Sequence, residues 1–347
     1  MNSYLARLAG EAQLLHHRFP SGPETVYFGG GTPSFLRERE LELLFESLPW
    51  KLAGSTEVTM EANPGTLNRE RLSLLRDLGV TRLSLGVQSF QDPVLKTLGR
   101  AHGRKGALRA AEEALEAGFR TSLDLILGLP EQDVAADLRQ AVEIGAGHVS
   151  AYTLQLEPGT PFALSGIKLD PEREAGALEQ AEDTLATAGF VRYEVSNFAL
   201  PGEECRHNQI YWQTGFWGAL GPGAVGHLPP SLRGAEGGRV FSVRTTNPPL
   251  PRWLQGELAG LEQISILEHL KEALMMGLRT QKGLNVAELE SRVSLSVWHS
   301  LRQTAEELAS QGLLTIEGSK LRPTERGMSL LHPVILRLWS ALPNQEQ

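Results

Sequence analysis

The chain has 347 residues, enough for a full hydrophobic core and two domains. Its 41% hydrophobic and 21% charged residues exclude a disordered or fibrous protein, and a net charge of −8 gives no electrostatic support for non-specific nucleic-acid binding. No apolar run spans a bilayer, the first residues lack the core of a signal peptide so that the cytoplasm is expected, and the single Cys205 excludes an internal disulfide or an all-cysteine metal cluster held by this chain alone.

Taken in order, Tyr4 to Phe19 reads as an amphipathic helix, with Leu5, Leu8, Ala12 and Leu15 at helical spacing. The apolar, β-branched and aromatic run Thr25 to Phe28 predicts a short buried strand. Gly29, Gly30 and Gly31 follow at once and leave bare backbone that a ligand can approach closely. By itself such a triplet serves a tight strand-to-helix turn as well as a binding site. Thr32 and Pro33 lead into a helical pattern carrying Leu41, Leu44, Phe45 and Leu48.

Further strands are expected at Glu57 to Glu61, Arg82 to Gln88, Ser122 to Leu127, His148 to Leu156 and Val191 to Ser196, with helical patterns between them. Six strands alternating with helices imply a parallel α/β sheet or barrel. In such folds ligands sit at the C-terminal ends of the strands. Glu61 and Gln88 end their strands, and Asp124 lies a few residues before the turn Gly128-Leu129-Pro130. Polar groups amid near-continuous apolar strands need partners, which neighbouring loops or a ligand could supply.

From Gly218 to Pro251 glycine and proline are dense, and irregular structure leaving the barrel is expected. Just before it, Tyr211, Trp212, Phe216 and Trp217 cluster near Cys205 and His207, a loop that suits packing on the barrel or contact with a flat apolar cofactor. Glu262 to Arg279 reads as a helix, Asn285 as the cap of a short helix through Leu289, Val297 to Ser310 as a third helix, and the run from Leu313 as a hairpin across Glu317-Gly318. Helices plus a hairpin suggest a winged-helix-like domain. The third helix is too poor in Arg and Lys to favour DNA, so an interaction or packing role is expected. The expected organisation is a partial barrel over 1–217, a Gly/Pro-rich connection over 218–261 and a helical, winged-helix-like domain over 262–340.

With the motifs in order, the chain resembles the radical SAM family of oxygen-independent coproporphyrinogen oxidases and their relatives, and looks most like the HemW-type haem chaperones. The matching stretches are Y-F-G-G-G-T-P-S, E-A-N-P-G-T-L, R-L-S-L-G-V-Q-S-F, L-G-R-A-H, L-D-L-I-L-G-L-P and C-R-H-N-Q-I-Y-W. The resemblance implies an α/β fold: an incomplete (β/α)6 radical SAM barrel, without its first strand, followed by the C-terminal helical domain. It implies S-adenosyl-L-methionine (SAM) at Gly30, Gly31, Thr32, Glu61, Gln88, Arg100 and Asp124. Carboxylates suit the ribose hydroxyls and ammonium of SAM, and Arg100 suits its carboxylate. The stretch His207, Asn208, Tyr211 and Trp212 resembles the haem-binding motif of the chaperone branch, with imidazole as an axial ligand.

One departure is marked. The family holds a [4Fe–4S] cluster through C-x3-C-x2-C before the first helix, and no such cysteines exist here. The expectation is that the reading frame continues upstream of Met1 and encodes the missing strand and motif; as written, the chain is not expected to cleave SAM reductively. The function expected from the resemblance is haem delivery to haem-receiving proteins, without nucleic acid, with membrane contact and homodimerisation left open. The runner-up is oxygen-independent coproporphyrinogen III oxidation, and a winged-helix regulator is opposed by the acidic charge.

Overall fold

In the computed structural model, which describes residues 2–159, 161–164, 166, 168–230 and 240–343, the chain divides into two compact units. One comprises Gly22–Glu46 and Lys51–His207. It carries a sheet of strands β1 (Thr25–Phe28), β2 (Glu57–Ala62), β3 (Arg82–Gln88), β4 (Arg120–Leu127), β5 (His148–Thr153), β6 (Val191–Arg192) and β7 (Asn197–Ala199) in the order β1-β2-β3-β4-β5-β7-β6. The first five run parallel to one another.

These strands are not uniformly apolar. They alternate with period two, as a pleated strand must when its faces meet different surroundings. Val58 and Met60 of β2, Leu83 and Leu85 of β3, Leu123 and Leu125 of β4, and Val149 of β5 enter one buried apolar cluster. The helices answer with Leu72 and Leu75, with Ala107, Ala110, Ala111 and Ala114, and with Leu138 and Ala141. The four alanines form a smooth stripe on the helix Gly103–Glu116, so its backbone packs close to the sheet. On the other face stand Tyr27, Thr59, Glu61, Ser84, Ser122, Asp124, Ser150 and Tyr152.

The stretch from Val191 to Ser196 corrects the expected sixth parallel strand. Only Val191–Arg192 is strand, and β7 returns antiparallel to both β6 and β5. Glu194 is buried, and its carboxylate accepts the Ser196 N–H at 3.2 Å and the Asn197 amide. That local capture of the backbone turns the chain back where a sixth parallel strand would have continued. β5 also stops at Thr153, before the expected end at Leu156.

The other unit comprises Met1–Ser21, Ser47–Trp50 and Asn208–Gln347. The helix Asn2–Arg18 belongs here because its residues anchor Trp253, a fully buried side chain. Trp253 Nε1 donates to Glu11 Oε1 at 2.5 Å, and its ring lies 5.1 Å from that of Tyr4. The Gly/Pro-rich stretch is not irregular throughout. Strands β8 (Val225–Leu228), β9 (Val240–Thr246) and β10 (Gly260–Ser265) form an antiparallel sheet in the order β10-β9-β8. Here glycine permits pairing: a Cβ on Gly226 would meet Thr245 Oγ1 at 2.7 Å.

The expected helix from Glu262 begins instead at Ile266, since Glu262 to Ser265 pair with β9. Ser265 and Glu268 form a capping box that fixes this start. Asn285 caps Val286–Val293 as expected, its side chain accepting the Ala287 N–H at 3.2 Å. With Trp298–Ser310, β11 (Leu284–Asn285), β12 (Leu314–Glu317) and β13 (Lys320–Pro323) they complete a winged-helix-like arrangement. A further helix, Leu331–Ser340, adds Val334, Ile335 and Leu338 to the core around Leu274, Leu301 and Leu308. No helix among the described residues is long and apolar enough to cross a membrane.

Candidate ligand site at the strand ends

The turn after β1 is built around a carboxylate. Tyr27 OH donates to Glu61 Oε1 at 2.8 Å, and the Gly30 N–H donates to Glu61 Oε2 at 3.0 Å. A Cβ on Gly29 would stand 2.6 Å from Glu61 Oε1 and 2.5 Å from the Tyr27 ring, so only glycine lets the three approach. Gly30 (φ 94°) and Thr32 (φ 55°) are both left-handed. A Cβ at Gly30 or Gly31 would meet no atom within 4 Å, so their backbone faces open space. The turn is therefore a cradle with room above it, lined by a carboxylate and bare amides.

Asp124 sits on the neighbouring strands, ringed by hydroxyls. Ser84 Oγ donates to both carboxylate oxygens at 3.0 and 2.9 Å, and Ser122 Oγ lies 3.2 Å from Oδ1. Ser122 is in turn 2.7 Å from His148 Nδ1, whose Nε2 is 3.0 Å from Tyr193 OH. Burial pushes the Asp124 carboxyl up to about 6, a rise to which the Glu61 charge adds while the serine hydrogen bonds oppose it. Burial, then the Arg82 and Arg120 charges, hold His148 well below the ordinary imidazole range, so it is neutral.

Gln88 ends β3 at φ 68°, where the register between β3 and β4 shifts, and its Oε1 accepts from Tyr152 OH at 3.4 Å. Desolvation and the Asp124 charge push Tyr152 up to about 12, while the Arg100 charge pulls it down. Arg100, Asp124 and Glu61 thus all act on one phenol. Tyr27, Tyr152 and the serines Ser84, Ser122 and Ser150 were not singled out from sequence. Their signal was present: E-V-T-M-E, R-L-S-L-G-V-Q and S-L-D place a polar side chain at every second residue.

The stretch containing His207 forms the helix Arg206–Trp212. His207 belongs to the sheet-bearing unit and Asn208, Tyr211 and Trp212 to the other. His207 Nδ1 is 2.8 Å from Thr25 Oγ1, and its ring stacks on Tyr27 with centroids 5.2 Å apart and planes at 17°. Its backbone N–H donates to Glu57 Oε1 at 3.0 Å, an oxygen that also receives Cys205 Sγ at 3.6 Å. Burial holds the imidazole below its ordinary value, with the Glu57 carboxylate acting the other way. In the other unit, Tyr211 meets Trp217 edge-on at 4.6 Å, and Trp212 Nε1 is buried with no partner among the described residues.

Residues 7–141 match the radical SAM superfamily, and residues 264–330 match the HemN C-terminal domain. The haem chaperone HemW of Synechocystis sp. is 41% identical over 77% of this chain and 67% of its own. The HemW of Escherichia coli K12 is 35% identical over 90% of this chain and 83% of its own. The chain belongs to the HemW family. The bovine mitochondrial radical S-adenosyl methionine domain-containing protein 1 is also similar, 37% identical over 92% of this chain and 76% of its own. Among solved structures, coproporphyrinogen III oxidase (HemN) of E. coli shares the fold, with a TM-score of 0.77 at 21% identity over 98% of this chain and 83% of that one.

The superfamily to which HemW belongs implies SAM and a [4Fe–4S] cluster. The residues present do not fit the cluster. Thiolates hold such clusters, whereas the chain has one cysteine, buried against Glu57. Among the described residues no three His, Cys, Asp or Glu side chains gather to hold a metal. The residues do fit a nucleoside ligand bearing an amino acid: two open glycines, carboxylates at Glu61 and Asp124, the Gln88 amide and the Arg100 guanidinium.

Proposed function

We propose that this protein carries haem, delivers it to haem-receiving proteins, and binds SAM at the strand ends. The observation that carries the reading is the setting of His207, oriented by Thr25 and stacked on Tyr27 beside the glycine cradle. His207 would hold the haem iron through its imidazole, whose ring is fixed by Thr25 Oγ1 2.8 Å from Nδ1. Burial lowers its pKa, with the Glu57 carboxylate opposing, which favours the neutral form that binds metals.

In the same reading Glu61 and Asp124 accept hydrogen bonds from the ribose hydroxyls and ammonium of SAM. Gly30 and Gly31 let the ligand approach the backbone, the Gln88 amide offers a donor and an acceptor, and Arg100 pairs with the carboxylate. SAM supplies a sulfonium and an adenosyl group when bound; the residues here bind and orient it. The HemN likeness speaks for the fold alone, and no observation favours decarboxylation of a porphyrinogen.

Haemin titration of the purified protein should give a Soret shift that weakens in His207→Ala and persists in Cys205→Ser. An unchanged affinity and spectrum in His207→Ala would remove that residue as the ligand.

A further inference from the structure

One side chain stands between the His207 imidazole and the Glu61 carboxylate. Tyr27 gives its hydroxyl to Glu61 Oε1 at 2.8 Å and its ring face to His207, 5.2 Å away and nearly parallel. The chain of contacts continues at both ends. His207 Nδ1 is held by Thr25, two residues earlier on the same face of β1, and Glu61 Oε2 takes the Gly30 N–H of the cradle. All these residues lie in one compact unit. Tyr27 keeps 37% of its surface exposed.

We infer that Tyr27 is a positioning residue shared by the two ligand sites, and that through it the binding of SAM and of haem is mutually reinforcing. The inference rests on the function proposed above. The phenol occupies Glu61 Oε1, an acceptor that a SAM hydroxyl or ammonium would use. A ligand that takes this oxygen releases the phenol, and the ring loses the tether that keeps it parallel to His207. Haem on His207 would have to displace the same ring, whose face is stacked on the imidazole. Each ligand therefore opens one closed set of contacts, and the second meets it already open. The coupling is reciprocal by thermodynamic necessity.

The test uses the full chain and two titrations, haemin by Soret absorbance and SAM by calorimetry, each repeated with the other ligand saturating. The expected result is about fivefold or greater tightening, equal in both directions. Tyr27→Phe keeps the ring for stacking and removes the tether, so each ligand should still bind while the coupling factor falls to about one. Equal haem affinity with and without SAM in the unsubstituted protein overturns the inference, as does coupling that survives in Tyr27→Phe or has the opposite sign. If the two ligands bind independently, only the coupling fails. If haem or SAM does not bind at all, the reading beneath it fails too.

Discussion

Gly29 and Glu61 are matched so closely that a single methyl would separate them: a Cβ on Gly29 would lie 2.6 Å from Glu61 Oε1. The obstructing atoms belong to the ends of two side chains, Glu61 and Tyr27, and not to the backbone. Gly29→Ala should therefore disturb the site more than the fold. We expect the melting temperature to change by only a few degrees, since displacing flexible side chains costs about 1 kcal/mol, while SAM affinity falls about tenfold or more. Calorimetric titration beside a melting curve checks this. A variant that binds SAM like the unsubstituted protein shows that the Gly29–Glu61 approach does not shape the site.

Asp124 predicts a pH dependence with a definite sign. Its folded-state pKa is raised from 3.8 to about 6 by burial, so the folded protein holds a proton that the unfolded chain releases. The carboxylate therefore destabilises the fold by about 3 kcal/mol above pH 6, and the cost shrinks as pH falls from 6 and is gone below the unfolded value of 3.8. Asp124→Asn should be more stable than the parent at pH 8, with the difference shrinking below pH 6 and vanishing only below the unfolded value of 3.8, as read from urea midpoints. The same carboxylate is an acceptor for SAM, so Asp124→Ala should weaken SAM binding by roughly ten- to a hundredfold. A pH-independent stability difference would show that Asp124 does not titrate in this range.

His269 predicts the opposite slope. It is 0% exposed, stacked on Phe241 at 3.6 Å, and neither ring nitrogen has a hydrogen-bond partner among the described residues. Burial, then the Arg292 and His227 charges, push it down to about 3. A histidine kept neutral in the fold contributes stability that is complete above its unfolded value of 6.5 and is lost as pH falls towards 3. His269→Leu should raise the melting temperature at pH 7, because it removes two unsatisfied polar atoms, and should flatten the loss of stability between pH 6.5 and 4. An unchanged acid profile would assign that slope to other groups.

Much of the sheet-bearing unit was legible in the residues. The strands at Thr25, Glu57, Arg82, Ser122 and His148 were each placed within two residues of their true starts, because strand runs bounded by glycine and helical patterns carry their own period. The Asn285 cap and the Glu317-Gly318 hairpin were legible for the same reason: side-chain-to-backbone bonds and turn glycines act over three or four residues. The β8-β9-β10 sheet was not, since its strands pair across stretches whose glycines and prolines read locally as loop. The sixth strand failed because a buried carboxylate, Glu194, captures the next backbone amide, a contact no periodicity announces.

The sequence alone determined where the polar residues at the strand ends fall, and that one cysteine cannot hold an iron–sulfur cluster, since thiolate count and strand period are local properties. Only the tertiary structure decided which of them meet. Ser84, Ser122 and Ser150 are unremarkable in a list of residues, yet parallel register puts all three around Asp124 and lifts its pKa only as far as burial can against their hydrogen bonds. Tyr27 reads as one more aromatic in a buried strand. It becomes the link between Glu61 and His207 because residues 34 and 180 positions away in sequence are brought to one face of β1, and that closeness arises from long-range strand pairing that local composition does not encode.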